Sequence, residues 1–245
     1  MSLDPQIPLA APEPQPGGRR LLAPLWHTAI IVALLLIISI SGYRGRHPLS
    51  QGSKLPEYLW GMAWEWILAG LVWLGIRKRF RMRDVIGGRW TGAGDFFQDA
   101  VIAAAFWIFA VLVLAGSARL MHLDQAEKVD TMRRQLGFLT PNTRLELAVW
   151  FLLSATAGFC EEFVFRGYLQ LQFAALTRSM FAGVLISAIV FGASHGYEGG
   201  ARMLLIGIFG LMFGLLAWWR RSLRPGMIAH AWHDALSGAL LRMLK

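Results

Sequence analysis

The chain has 245 residues, 56% of them hydrophobic and 16% charged; counting its 26 glycines, about two thirds of it is apolar, where an average soluble domain has about 45 to 50% apolar and 25% charged residues. That balance excludes an ordinary soluble globule and a disordered chain, and a single cysteine excludes a disulfide-stapled module. The 24 Lys and Arg against 15 Asp and Glu leave +9, a bias that bilayer topology places in loops, so no nucleic-acid partner is expected.

The expected fold class is all-α, a polytopic transmembrane bundle of about seven spans. Residues 1–22 hold five of the ten prolines (Pro5, Pro8, Pro12, Pro14 and Pro16) and read as a disordered tail. The first apolar run starts late and lacks a small-residue cleavage site, so it reads as a retained anchor rather than a signal peptide. Runs of the length a bilayer needs lie at Ala23 to Gly42, Tyr58 to Ile76, Phe97 to Gly116, Leu145 to Leu169, Ser179 to His195, Met203 to Trp219 and Met227 to Leu244. Residues 23–140 are expected to supply helices and loops, and 141–245 a catalytic helical core.

Two basic blocks, Arg77 to Arg89 and Arg220 to Arg224, fall on one face in this topology. Their density near helix ends predicts that this face and the tail are cytoplasmic.

Ionisable groups inside apolar helices are costly and mark functional sites. Glu65, among Trp60, Trp64 and Trp66, reads as an interfacial acid, and His27, at the start of the first run, as a headgroup-level residue. The last hundred residues are richer. Thr143 and Glu146 form a capping-box pattern, and the helix it starts reaches Glu161 and Glu162 about 26 Å along. Glu162 and Arg166 stand at i and i+4 in the favourable order for an ion pair; Glu161 points about 100° away, with no local counter-ion.

The next run ends in Phe191-Gly-Ala-Ser-His195, and the last carries His230, His233 and Asp234. A free carboxylate with imidazoles in a hydrated cavity can activate water for acyl hydrolysis, with His as metal ligand or oxyanion donor. His230 and His233 lack the i, i+4 spacing of the familiar zinc helix. The cofactor therefore stays open, a divalent metal such as zinc being allowed with Glu161, His195, His230 and Asp234 as candidate ligands. Cys160 lies beside the acid pair in apolar surroundings that disfavour a nucleophilic thiolate.

Together, Glu161-Glu162-Phe-Val-Phe-Arg166, Phe191-Gly-Ala-Ser-His195 and His230-Ala-Trp-His-Asp234 resemble the three ordered motifs of the CAAX prenyl protease and bacteriocin-processing (Abi) family over roughly Leu145 to Leu244. The resemblance implies an intramembrane endopeptidase, glutamate- or metal-dependent, acting on a peptide or lipidated protein in a bilayer, with a bacterial inner membrane as the expected location. It implies Glu161 as the water-activating carboxylate, His195 and His230 as its partners, Asp234 as a fourth polar group, and Glu162 with Arg166 completing the first motif. Asp234 is a departure, because the prenyl-protein branch commonly has Asn, which can donate to an oxyanion where ionised Asp only accepts. His233 has no assigned role. The alternatives are a non-catalytic membrane scaffold and a proton-coupled transporter.

Simple alternation of spans places His195 at the opposite end from Glu161 and His230. The groups meet only if the site lies near mid-membrane or if Gly167 to Arg178 is an amphipathic or re-entrant piece.

Overall fold

The computed structural model describes residues 21–44, 52–123 and 140–243. Among these every regular element is helical: α1 (Leu25–Arg44), α2 (Leu55–Ile76), α3 (Met82–Ile86), α4 (Ala93–Leu120), α5 (Arg144–Glu161), a π-helical segment (Glu162–Leu169), α6 (Gln170–Thr177), α7 (Met180–Ser194), a 3-10 turn (Gly196–Glu198), α8 (Gly200–Arg220) and α9 (Arg224–Met243). Most of the expected tail falls outside the described residues. Its last residue does not behave as tail: Leu22 is buried and its N–H donates to Gln172 Oε1 at 2.8 Å.

Four helices are long and apolar enough to cross a membrane, namely Leu55–Ile76, Ala93–Leu120, Arg144–Thr177 and Gly200–Arg220. The expected all-α membrane bundle is the observed class, and four of the roughly seven expected runs meet this criterion among the described residues. The described part of the first run, Leu25–Ser41, is a shorter apolar helix, and α7 has 15 residues, about 22 Å against the roughly 30 Å of a hydrocarbon core. α9 carries His230, His233, Asp234 and Arg242, which lower its hydropathy. Leu59, Trp60, Trp66, Phe97, Leu112, Leu152 and Trp219 are exposed on the helices, an outward apolar surface suited to lipid.

The segment from Gly167 to Arg178 is neither amphipathic nor re-entrant. α5, the π segment and α6 run on as one helix of 34 residues, Arg144–Thr177, started by the expected capping box of Thr143 and Glu146. It stops where Arg178 turns left-handed (φ 59°) and Ser179 caps α7 by accepting the Ala182 N–H. The hairpin explains why distant motifs meet. Glu161 lies 16 residues before Thr177 and His195 15 residues after Met180, so both stand about 22 to 24 Å from the turn.

α9 packs along α5, α7 against α6 and α8, and α2 against α5. Gly158 marks a close approach of the α5 and α9 backbones: a Cβ there would lie 2.7 Å from Met227 O and 2.8 Å from Ala231 N. At the other end Leu223 N–H donates to Ile86 O at 2.8 Å, and Gly87 (φ 108°) leaves room only for Ser222. The two basic loops thus join at one end of the molecule, as the topology required.

His27 corrects an expectation. It is buried, with Nδ1 2.9 Å from Tyr168 Oη and Nε2 3.0 Å from Leu71 O, and so ties α1 to α2 and the π segment. An imidazole has one group to offer on each side, and here both find partners inside the bundle rather than in headgroups.

Candidate active site

The first motif sits at the change from α-helix to π-helix. The Gln170 N–H donates to Phe165 O, five residues back, and Ser187 Oγ donates to the same carbonyl at 2.9 Å, so the widened turn leaves that acceptor well supplied. π segments recur at functional sites because they re-aim side chains that a regular helix would place elsewhere.

Glu162 and Arg166 form the ion pair expected from their spacing, at 2.9 Å, with side chains 1% and 2% exposed. Such a pair survives burial only when its remaining lone pairs and protons are also engaged. Arg166 Nη2 donates to Gly210 O at 3.2 Å, its guanidinium stacks on Phe191 with 4.5 Å between them, and Glu162 Oε1 accepts from His230 Nδ1 at 3.0 Å. The acid of the first motif thereby orients the histidine of the third.

The spacing Phe-x-x-x-His of the second motif now has a physical reason. Phe191 O accepts the His195 Nδ1–H at 2.9 Å, four residues away on the same helix, while the Phe191 ring rests on Arg166. His195 Nε2 is left pointing at Glu161 Oε1, 4.0 Å away. His230 Nε2 faces Glu161 Oε2 at 3.6 Å and Asp234 Oδ2 at 3.7 Å. The structure therefore brings Glu161, His195, His230 and Asp234 together from three helices. Glu162 and Arg166 lie behind them, buried, and act on the cluster through His230.

Glu161 differs from its neighbour. Its side chain is 13% exposed against 1% for Glu162, and Oε2, like Glu162 Oε2, has no hydrogen-bond partner among the described residues. It stands where two cavities meet. One, of about 410 Å³, is lined by Glu198, Arg202, His230, His233 and Asp234; the other, of about 560 Å³, by apolar groups including Leu34, Ile38, Trp60, Trp64 and Phe165. Glu65, Glu161, His195 and Tyr197 border both. His233, unassigned in the sequence, borders the polar cavity, with its ring 4.9 Å from that of Phe209. Cys160 is buried and borders neither.

Sequence reasoning missed Glu65. It is not an interfacial acid: it lies with Glu161 at the junction of the cavities. The signal was present, since it is the acid deepest in the second span, but flanking tryptophans suggest a headgroup belt and conceal a face that turns inward.

A zinc ion would need three or four N, O or S donors at about 2.0 to 2.3 Å from one point. Among the described residues no group of three or more His, Cys, Asp or Glu side chains is placed to do this. The donor set does not fit a resident metal, and the chemistry considered below uses side chains and water alone.

Residues 143–236 match the family model described as Type II CAAX prenyl endopeptidase Rce1-like, a stretch that contains all three motifs. Comparison with curated proteins and with solved structures finds no match.

Proposed function

Because residues 143–236 match the Rce1-like CAAX prenyl endopeptidase family model, we propose that this membrane protein hydrolyses a peptide bond near the C-terminus of a prenylated substrate, with Glu161 as the general base. The match supports a CAAX-type intramembrane endopeptidase in general; the assignment of roles rests on the geometry of residues 141–245, aided by α2. One observation carries it. Glu161 is a half-buried carboxylate with an unpartnered oxygen at the junction of a polar and an apolar cavity, with imidazoles of two other helices 3.6 and 4.0 Å away. Those spacings exceed a direct hydrogen bond and suit a bridging water.

In this reading His195 Nε2, whose ring proton is held on Nδ1 by Phe191 O, accepts one hydrogen bond from the water. Glu161 removes the other proton, and the water oxygen attacks the scissile carbonyl carbon. His230, held by Glu162 at Nδ1, turns Nε2–H toward the oxyanion. Collapse of the tetrahedral intermediate breaks the C–N bond, and the proton on Glu161 passes to the leaving amine. Asp234 orients His230 rather than donating to the oxyanion, consistent with an acid at this position. The polar cavity takes the peptide and the apolar one the prenyl chain.

The test uses the purified full chain in nanodiscs and a farnesylated peptide with a fluorophore and quencher across the scissile bond. The wild type should cleave it. Glu161→Gln should accumulate and fold normally and cleave at least about a hundredfold more slowly; wild-type turnover by that variant would overturn the assignment.

A further inference from the structure

The three motifs all lie within residues 143–236, yet the site is completed by an acid from outside them. Glu65 comes from α2, which packs against α5 and the π segment. Gly61, one turn earlier on the same face, also borders both cavities; with no side chain, it leaves the junction open beside Glu65. Glu65 thus faces the reacting centre, while Trp60 and Trp64 on the same helix line the apolar cavity alone.

Glu65 and Glu161 meet at this junction, and two carboxyl groups in one apolar site pair by a hydrogen bond between them. A carboxylate only accepts, so such a bond requires one of the two to carry a proton and donate it. The partners on either side suggest which. Glu161 faces two imidazole nitrogens and has the role of acceptor toward water, whereas no ion pair engages Glu65 among the described residues. A donor on one oxygen of Glu161 also restricts rotation of its carboxyl group.

We propose that Glu65 is a positioning residue of the hydrolytic site: as a carboxylic acid it donates to Glu161 and fixes that carboxylate so that its free oxygen faces the water between His195 and His230. Its proton stays on Glu65 through the cycle, and the proton taken from water moves only between Glu161 and the leaving amine. The inference rests on Glu161 being the base. It also makes α2, outside the matched stretch, part of the working site.

The experiment compares Glu65→Gln, Glu65→Ala and Glu65→Leu with Glu161→Gln, using the full chain in nanodiscs and the same farnesylated peptide. All three changes at residue 65 remove an ionisable group from an apolar helix, so insertion should not suffer. Gln keeps an N–H donor toward Glu161, and Glu65→Gln should hold kcat within about threefold of wild type. Glu65→Ala and Glu65→Leu should lower kcat roughly 10- to 100-fold, the scale of one hydrogen bond to a charged group, with KM within about twofold. Wild-type kcat in Glu65→Ala or Glu65→Leu would overturn the proposal, as would Glu65→Gln impaired as much as Glu65→Leu, or a loss confined to KM. If Glu161→Gln is inactive while the Glu65 variants are normal, this inference alone falls. If Glu161→Gln is active, the assignment of the base falls with it.

Discussion

Two acids sit among cationic or titratable partners in this apolar bundle, and their surroundings differ in one respect. Asp99, 1% exposed on α4, has both oxygens engaged: Trp90 Nε1 donates to Oδ2 at 2.8 Å, Arg224 Nε lies 2.9 Å from the same atom, and Arg220 Nη2 is 3.6 Å from Oδ1. Glu161 has comparable company at distances that stop short of contact, and an open cavity on either side. The first arrangement consumes the charge in holding α4 to the α8–α9 turn. The second leaves a carboxylate oxygen able to accept a proton. A buried acid in a membrane helix is thus a functional candidate when it faces an open cavity, rather than by its burial.

The contrast can be broken by exchanging the readouts. Glu161→Gln should cost roughly 10² to 10⁴ in kcat, the usual contribution of a general base, with little change in thermal stability measured in detergent. Asp99→Ala should do the reverse. Removing one partner of a buried ionic network costs about 3 to 5 kcal/mol, so the folded fraction should fall, while the surviving folded molecules cleave at near the wild-type rate. If Asp99→Ala lowers kcat per folded molecule as strongly as Glu161→Gln, the distinction between the two acids is wrong.

His230→Ala should lose about 10² to 10³ in kcat, as for one oxyanion donor, and should also reduce the folded yield, because Glu162 Oε1 loses its 3.0 Å partner. His195→Ala removes one donor to Phe191 O, which Ser194 Oγ still supplies at 2.8 Å, and should reduce activity with no loss of folded yield. Equal folding defects in the two would show that Glu162 does not depend on His230.

A smaller effect is expected where the two regions are held in register. Gly158→Ala introduces a Cβ against the backbone of α9, and the resulting shift should cost about 1 to 3 kcal/mol, the range for overpacking. Activity should fall with stability because His230 moves relative to Glu161. An unchanged Tm would show that α9 can retreat freely. The smallest effect is for metal removal: exhaustive dialysis against a chelator should leave the rate of cleavage unchanged, and reversible inactivation restored by zinc would overturn the side-chain mechanism.

Much of the site was legible in the residue order. The i, i+4 spacing of Glu162 and Arg166 predicted their ion pair, and the capping box at Thr143 and Glu146 located the start of the long helix. Spacing along one helix dictates which neighbours share a face, so such pairs need no knowledge of the rest of the fold. The three motifs likewise identified the groups that converge, and 143–236 is the stretch the family comparison matches.

What periodicity does not carry is the depth and azimuth of one helix relative to another. Whether Gly167 to Arg178 continued a helix or re-entered was decided by the π segment and the Arg178 turn, and with it the meeting of His195 and Glu161. His27 and Glu65 were misplaced for the same reason: each lies among aromatic and apolar residues that suit an interface, and only the packing of α1 and α2 on the core turns them inward. The sequence by itself determined the helical class, the apolar spans and the local pairs, because these follow from composition and from distances along one chain. The tertiary structure decided that Glu162 would be buried against Arg166 and His230 while Glu161 would face the two cavities, because that depends on how closely separate helices approach.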